Sequence, residues 1–345
     1  TLGKEFNMKK YFAVKNRDDV VRMNSSSGGI FYSLALDTIE NGGIVYGAAY
    51  DEEFNVYHKR ITRKDEIKSL QGSKYTPSRL GDAFAHVKHD LKTGSRVLFS
   101  GTPCQTSALL NVLKDVDMDN LLVVDVVCHG TPQTKFFDEY KKYLEEKYNS
   151  KIVSLNMRYK NPKYFQKNKK KKYIPLGKVE PHFMEVIFQN GKKYISRSDF
   201  DIFYQLFDYF TREGCYACPF ASTERRSDLT IGDFHEFSSK LGDFNDGNGV
   251  SLLIVNTPKG EDYFNRIKDK FFVVEKDEQE CLQPALESPM KKPVKHDEFI
   301  SDYEKNGFEY VIKKYTKSGL KFKIRRTLER IGILDNLARW KRGLK

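Results

Sequence analysis

Four cysteines stand out by chemistry and by place: Cys104 in SGTPCQ, Cys128 in VVCHG, and Cys215 and Cys218 three apart in CYACPFASTERRSDLTIGD. Thiolates are soft ligands, and four of them suit tetrahedral zinc or an iron–sulfur cluster. The CxxC pair can reach one metal centre from a single turn. Spacing alone leaves three readings open: zinc, an iron–sulfur cluster, or unrelated reduced thiols. A zinc variant would use Cys128, His129, Cys215 and Cys218 and leave Cys104 out. Thiol–disulfide exchange fits less well, because Pro219 follows the CxxC and no thioredoxin-like βαβ start precedes it. An odd count of five cysteines, in a long chain without a signal peptide, disfavours a disulfide framework.

Two small-residue loops offer a different chemistry. NSSSGGIF, from Asn24 to Phe31, opens a helix with Ser hydroxyls and backbone N–H groups. Such a helix start binds anions such as a pyrophosphate, or else Ser27 simply caps it. GSKYTPS, from Gly72 to Ser78, adds one cation and several hydroxyls in a second loop.

These residues need a scaffold, and the hydrophobic pattern supplies one. IFYSLALDTIEN has helical spacing and ends at Gly42 and Gly43; GIVYGAAYD then reads as a buried strand and NVYHKRIT as an alternating partner. A helix over roughly 80–93 precedes the strand SRVLFSG, and TPCQTSALLNVLKD returns as a helix. LLVVDVVCHG is a further β-branched strand before a helix from about Pro132 to Lys147. Strands alternating with helices predict an α/β fold, with a mixed, mostly parallel, helix-covered sheet in the N-terminal half. Cys104 and Cys128 then sit at or just past strand ends, where ligands gather in such sheets. The C-terminal half reads as more irregular α+β structure. It has strands in KIVSLNMRY, HFMEVIFQNGKKYISR, LTIGDF and VSLLIVNT, helices in DFDIFYQLFDYF and PKGEDYFNRIKD, and a hairpin turn at Asn190–Gly191. The expected organisation is an α/β region over 1–150 carrying Cys104 and Cys128, an α+β region with the CxxC loop over 151–295, and a basic helical tail over 296–345.

Composition narrows the class. The 345 residues carry a net charge of +12, which favours acidic partners: nucleic acid, an anionic membrane surface or a phosphorylated cofactor. No helix-turn-helix pattern, RNA-binding aromatic motif or paired Cys/His finger is present, so nucleic acid is not the expected partner. The lysine run over 167–173 reads as a solvated loop. The tail carries an apolar stripe of Phe322, Ile324, Leu328, Ile331, Leu334, Leu337 and Trp340 among Lys and Arg. That pattern suits either an anionic membrane surface or packing on its own domain or a second subunit, a homo-oligomer. No apolar run approaches the ~20 residues that cross a bilayer, and no signal peptide is visible, so the expected location is cytoplasmic, with the inner membrane face as the peripheral alternative. The chain opens on Thr rather than Met, as a processed protein or a fragment would.

The motifs occur in one order: SSGGIF, GGIVYGAAYD, LQGSKYTPS, VLFSGTPCQ, VDVVCHGTP, CYACPF and SDLTIGDF. This series, from about Tyr11 to Tyr315, resembles the beta-subunit family of coenzyme F-420 hydrogenases and dehydrogenases, which includes a plant chlorophyll reductase and bacterial members associated with polysaccharide synthesis. The resemblance implies an oxidoreductase with FAD and a 4Fe–4S cluster. It makes Cys104, Cys128, Cys215 and Cys218 the cluster ligands, and leaves Cys281 as a buried apolar residue. It places Ser26, Ser27, Gly28 and Gly29 in one flavin loop, Ser73, Lys74, Tyr75 and Ser78 in a second, and Thr102 and Gln105 beside the ring. Lys74 and His129 are the implied catalytic candidates: Lys74 by its charge against an anionic flavin or phosphate, His129 as a donor to a cluster sulfide or the flavin. Asp233 is implied to orient the cluster loop. Family members usually carry an amino-terminal ferredoxin-like segment, and no cysteine precedes Cys104 here. A separate ferredoxin-like donor, or a removed segment, is therefore expected. The substrate is expected to be a small molecule: a deazaflavin, or a sugar or lipid-linked precursor of polysaccharide. The alternative is a non-catalytic zinc-binding module in a glycan-synthesis assembly.

Overall fold

The computed structural model describes residues 9–160, 182–235, 241, 244–317, 324, 327 and 328. The lysine run, and all of the tail's apolar stripe except Ile324 and Leu328, lie outside them. The chain divides into two compact units, one drawn from residues 1–130, 217–235 and 248–290, the other from 131–216, 236–247 and 291–345.

In order, the first unit uses β1 (Lys10–Asn16), α1 (Asp19–Met23), α2 (Ile30–Glu40), β2 (Ile44–Tyr50), β3 (Val56–Ile61), α3 (Ile67–Leu70), α4 (Ala83–Lys92), β4 (Val97–Gly101), α5 (Pro103–Val112) and β5 (Leu121–Val126). The second unit then contributes α6 (Thr134–Tyr148), β6 (Ile152–Tyr159), β7 (Phe183–Phe188), β8 (Lys193–Arg197), α7 (Ile202–Leu206) and α8 (Glu213–Tyr216). The chain returns to the first unit with β9 (Leu229–Asp233), β10 (Ser251–Val255), α9 (Pro258–Ile267), β11 (Phe271–Lys276), α10 (Glu278–Cys281) and α11 (Pro284–Glu287). It ends in the second with α12 (His296–Asn306) and α13 (Phe308–Tyr315).

The first unit is an α/β layer structure on a mixed eight-stranded sheet, ordered β11-β1-β10-β9-β5-β4-β2-β3. Its middle strands β2, β4, β5 and β9 run parallel, while β3 on one flank and β10, β1 and β11 on the other each pair antiparallel with their neighbours. The strands at the centre are apolar on both faces because helices cover both faces. On β4 and β5, Leu98, Leu122 and Val124 join Ile30 and Leu34 of α2 and Phe264 of α9. Their neighbours in sequence, Val97, Phe99, Leu121 and Val123, join Val87 and Leu91 of α4 and Leu109 of α5. The period-2 alternation thus deals successive side chains to opposite layers, each contributing about 1.5–3 kcal/mol on burial.

The second unit holds the antiparallel sheet β6-β7-β8 and an aromatic core. Phe136 of α6 stacks on Phe210 at 4.2 Å and on Phe203 at 5.0 Å, and Phe210 meets Phe299 edge-on at 4.9 Å. The segment Asp199–Phe210, expected as one helix, is instead a 3₁₀ turn over Ser198–Phe200 followed by the short α7. The reason is Asp201: its extended backbone ends the first turn and its Oδ1 accepts from Phe203 N at 2.8 Å, starting the second. Asp201 Oδ2 also accepts from Tyr140 Oη at 2.9 Å and Tyr194 Oη at 2.7 Å, in a fully buried site.

Candidate functional site

Because β2, β4, β5 and β9 are parallel, their carboxyl ends share one edge of the sheet: Tyr50, Gly101, Val126 and Asp233. The segments leaving that edge carry Thr102 and Cys104, Cys128 and His129, and His235. His129 and His235 stack at 5.5 Å, with rings 10° apart.

The loop before α2 is held by its glycines. A Cβ on Gly28 would lie 2.4 Å from Val14 O and 2.7 Å from Ser251 N, so only glycine lets the chain press onto β1 and β10. Gly28 N donates to Ser251 Oγ at 2.8 Å, and Ser27 Oγ donates to Val250 O at 2.7 Å. Ser27 is therefore not the cap of α2. Gly29 is, at φ 89°, and no side chain caps the helix start. Its first-turn N–H groups and their partial positive charge are left for another acceptor.

The second loop is tied to the first. Ser26 Oγ accepts from Ser73 N at 2.7 Å and from Ser73 Oγ at 2.9 Å. Next in sequence, Lys74 turns inward. Its Nζ donates to the carbonyls of Ser69, Gln71 and Gly72 at 3.2, 2.9 and 3.2 Å and lies 5.7 Å from the centre of the Tyr50 ring. Among the described residues no carboxylate pairs with it. Burial alone pulls its ammonium down to about 7. With all three N–H groups spent on carbonyls, Lys74 offers charge rather than a hydrogen bond. Tyr50 Oη and Thr76 Oγ1, from β2 and the same loop, are buried and without a hydrogen-bond partner among the described residues. Unmatched buried hydroxyls are uncommon and suit a site that receives a polar ligand.

From the far end of that loop a bond chain runs to Cys104. Gln105 Nε2 donates to Ser78 Oγ at 2.9 Å, and Gln105 Oε1 accepts from Thr102 N at 3.0 Å. Thr102 Oγ1 contacts Cys104 Sγ at 3.1 Å. His58 anchors the other side: Nε2 faces Ser100 O at 3.0 Å and Nδ1 faces Ser78 Oγ at 2.8 Å. A carbonyl can only accept, so Nε2 carries the proton and Nδ1 accepts from Ser78. Burial lowers the imidazole to about 4, the Ser100 carbonyl opposing, so the ring stays neutral at ordinary pH. Ser26, Ser73, Lys74, Ser78, Thr102, Gln105 and Cys104 thus form one connected polar surface. Tyr75 lies half-buried in the same loop.

Cys104 is exposed, in the first turn of α5; Cys128 and Cys218 are half-buried in the first unit. Cys215, in α8 of the second unit, is half-buried, with its N–H donating to Arg212 O at 2.8 Å. Cys281 is buried, as expected of an apolar side chain. No disulfide joins the described cysteines, and among the described residues no three His, Cys, Asp or Glu side chains gather around a single ion. Cys104 and Cys128, just past the ends of β4 and β5, are soft donors of the kind an iron–sulfur cluster takes.

The sequence from 94 to 280 matches the family model that describes the C terminus of the coenzyme F420 hydrogenase/dehydrogenase beta subunit. The chain belongs to this beta-subunit family. All four motif cysteines fall inside the matched segment, which runs from before β4 to α10. Among solved structures, a chain of the F420-reducing [NiFe] hydrogenase complex from Methanosarcina barkeri, in a xenon derivative, is similar in fold. It aligns with a TM-score of 0.50 and 15% identity over 79% of this chain and 84% of that one. None of the curated proteins matches the sequence. Membership makes the chain a beta-subunit-like redox protein. Among the described residues no helix is long and apolar enough to cross a membrane.

Within this F420 beta-subunit fold, two site groups escaped the sequence reading: His58 and Tyr50. Only His58 left a trace, as a lone histidine on the inward side of an alternating strand, where it stacks on Phe99 at 5.0 Å.

Proposed function

We propose that this protein is an FAD- and 4Fe–4S-dependent oxidoreductase. It takes electrons from a ferredoxin-like donor and delivers them to a two-electron acceptor, a deazaflavin or a sugar or lipid-linked precursor in polysaccharide synthesis. When bound, the two groups would supply the exchange between one-electron and hydride-type transfer that no side chain provides. Cys104, Cys128, Cys215 and Cys218 would hold the cluster, and the loops Ser26–Gly29 and Ser73–Ser78 would hold FAD.

One observation carries the reading: the bond chain from Ser26 through Ser73, and from Ser78 through Gln105 and Thr102, which puts the two loops and Cys104 on one surface. Each protein group there has a definable task. The α2 start and the Lys74 ammonium favour negative charge, as a phosphate or a reduced flavin requires. Gln105, Ser78 and neutral His58 fix the Thr102–Cys104 turn, so the cysteine keeps its place. Tyr50 Oη and Thr76 Oγ1 have donors to give. His129, which stacks on His235, would serve as a donor at the edge where Cys128 emerges.

Protein purified without oxygen should be brown and contain flavin and iron. Cys104→Ser and Cys215→Ser should lose the cluster and keep most of the fold. Zinc without iron or flavin would reject the reading, and full iron in either variant would reject the ligand set.

A further inference from the structure

The CxxC loop returns to the sheet through Glu224, Arg225 and Arg226, and these three neighbours reach three different elements. Glu224 is the outer contact, to Lys9 at 2.5 Å just before β1, and is largely exposed. Arg226 turns the other way and donates to Asn111 Oδ1 at 2.7 Å on α5, the helix that begins at Cys104. Arg225 points inward. Its side chain and that of Asp125 are each only 2% exposed, with Nη1 3.8 Å from Oδ2.

Asp125 occupies a telling position. It lies on β5, three residues before Cys128, and its register partners are Gly101 on β4, three residues before Cys104, and Thr230 on β9. By strand alternation it shares the face of Leu121 and Val123, the face α5 covers. One carboxylate therefore stands on the strand that leads to Cys128, beside the strand that leads to Cys104, and faces Arg225 of the loop that carries Cys218. The contact is not a hydrogen bond: Arg225 Nε and Nη1 and Asp125 Oδ1 are buried with no hydrogen-bond partner among the described residues. The Asp125 carboxyl takes hydrogen bonds from Thr230 and Ser227, so the cost falls on Arg225, a buried guanidinium with unmet donors, and is several kcal/mol. An arrangement so costly, with two unspent donors, is what a loop would keep if those donors met an anion.

We propose that Arg225 and Arg226 form a clamp that positions Cys218 against the Cys104 and Cys128 segments, with Arg225 presenting its unspent N–H groups to the anionic cluster. Both are positioning residues. The inference rests on the iron–sulfur reading.

The test uses the full chain, reconstituted anaerobically with iron and sulfide, and compares wild type with Arg225→Met, Arg226→Ala and the double variant Asp125→Asn/Arg225→Met. Thermal midpoint, iron per chain, midpoint potential, and hydrogen exchange over 219–228 are measured. Arg225→Met should lose thermal stability, hold iron ~10–100-fold more weakly and shift its remaining cluster to a more negative potential, as loss of a donor near a metal site does. Arg226→Ala should keep its thermal midpoint while exchange over 219–228 rises at least about tenfold. The double variant removes the unpaired carboxylate, so it should regain the thermal midpoint but not the iron. Recovery of iron together with stability would show a merely structural ion pair and overturn the clamp. If wild type takes up no iron, the iron–sulfur reading fails. The loop-anchoring part then stands or falls on exchange alone: unchanged exchange in both single variants overturns it.

Discussion

Lys74 gives the sharpest test, because its charge should hurt the empty protein and help the loaded one. Burial draws its ammonium from 10.5 in the unfolded chain to about 7 in the fold. Between those values the unfolded state binds the extra proton, so stability rises with pH across the window and is lowest below it. Integrating the two titrations, wild type should gain about 2 kcal/mol between pH 7 and pH 9, an upper figure since the three carbonyl acceptors favour the charged form. Lys74→Met removes that slope. The variant's stability at a single pH is less informative, because it also strips three carbonyls of their donor; the difference between the two pH values cancels that loss. Urea unfolding of both proteins at pH 7 and pH 9, without flavin, reads the double difference. Flavin titration at pH 7 reads the other half: Lys74→Met should bind FAD at least about tenfold more weakly, or 1.4 kcal/mol. A double difference under about 0.5 kcal/mol would mean that Lys74 is solvated, not buried. Unchanged FAD affinity would remove it from the flavin site.

Gly28→Ala should cost about 1–3 kcal/mol or more, since its Cβ meets backbone that cannot retreat; a melt within a degree of wild type would refute the packing. Asp201→Ala should destabilise the second unit by about 3 kcal/mol in denaturant titration, through two orphaned tyrosine hydroxyls and a lost helix cap. Burial raises the Asp201 carboxyl to about 6 against tyrosine and backbone donors that lower it, so its native form holds a proton that the unfolded chain has released. Stability from this group should therefore fall as pH rises from about 4 through 6, and Asp201→Asn should flatten that stretch of the profile. Cys281→Ala should keep a full complement of iron, because the thiol is buried as an apolar side chain, whereas Cys218→Ser should not; iron analysis of both variants decides.

Much of this protein was readable from residue order alone. The central strands announce themselves because burial on both faces demands unbroken apolar runs, as in VLFS and LLVVDV. The motif series from SSGGIF to SDLTIGDF identified the family, because each motif answers a local demand: a glycine where backbone meets backbone, a proline at the start of α5, a cysteine past a strand end. What pattern could not supply was partnership. Nothing in KYFAVKN or FFVVEK says that β1 and β11 flank a sheet whose centre lies far off along the chain. Nor does anything in SDLTIGD say that β9 aligns with β5 so that Thr230 meets Asp125. Strand pairing is settled by which faces close over a shared core, and that is a property of the whole chain. The same holds for Lys74 and Arg225. As letters they are two of 59 cations, most of them bound for solvent. Only the fold took them inside, where low polarity turns an ordinary charge into one that acts on its neighbours.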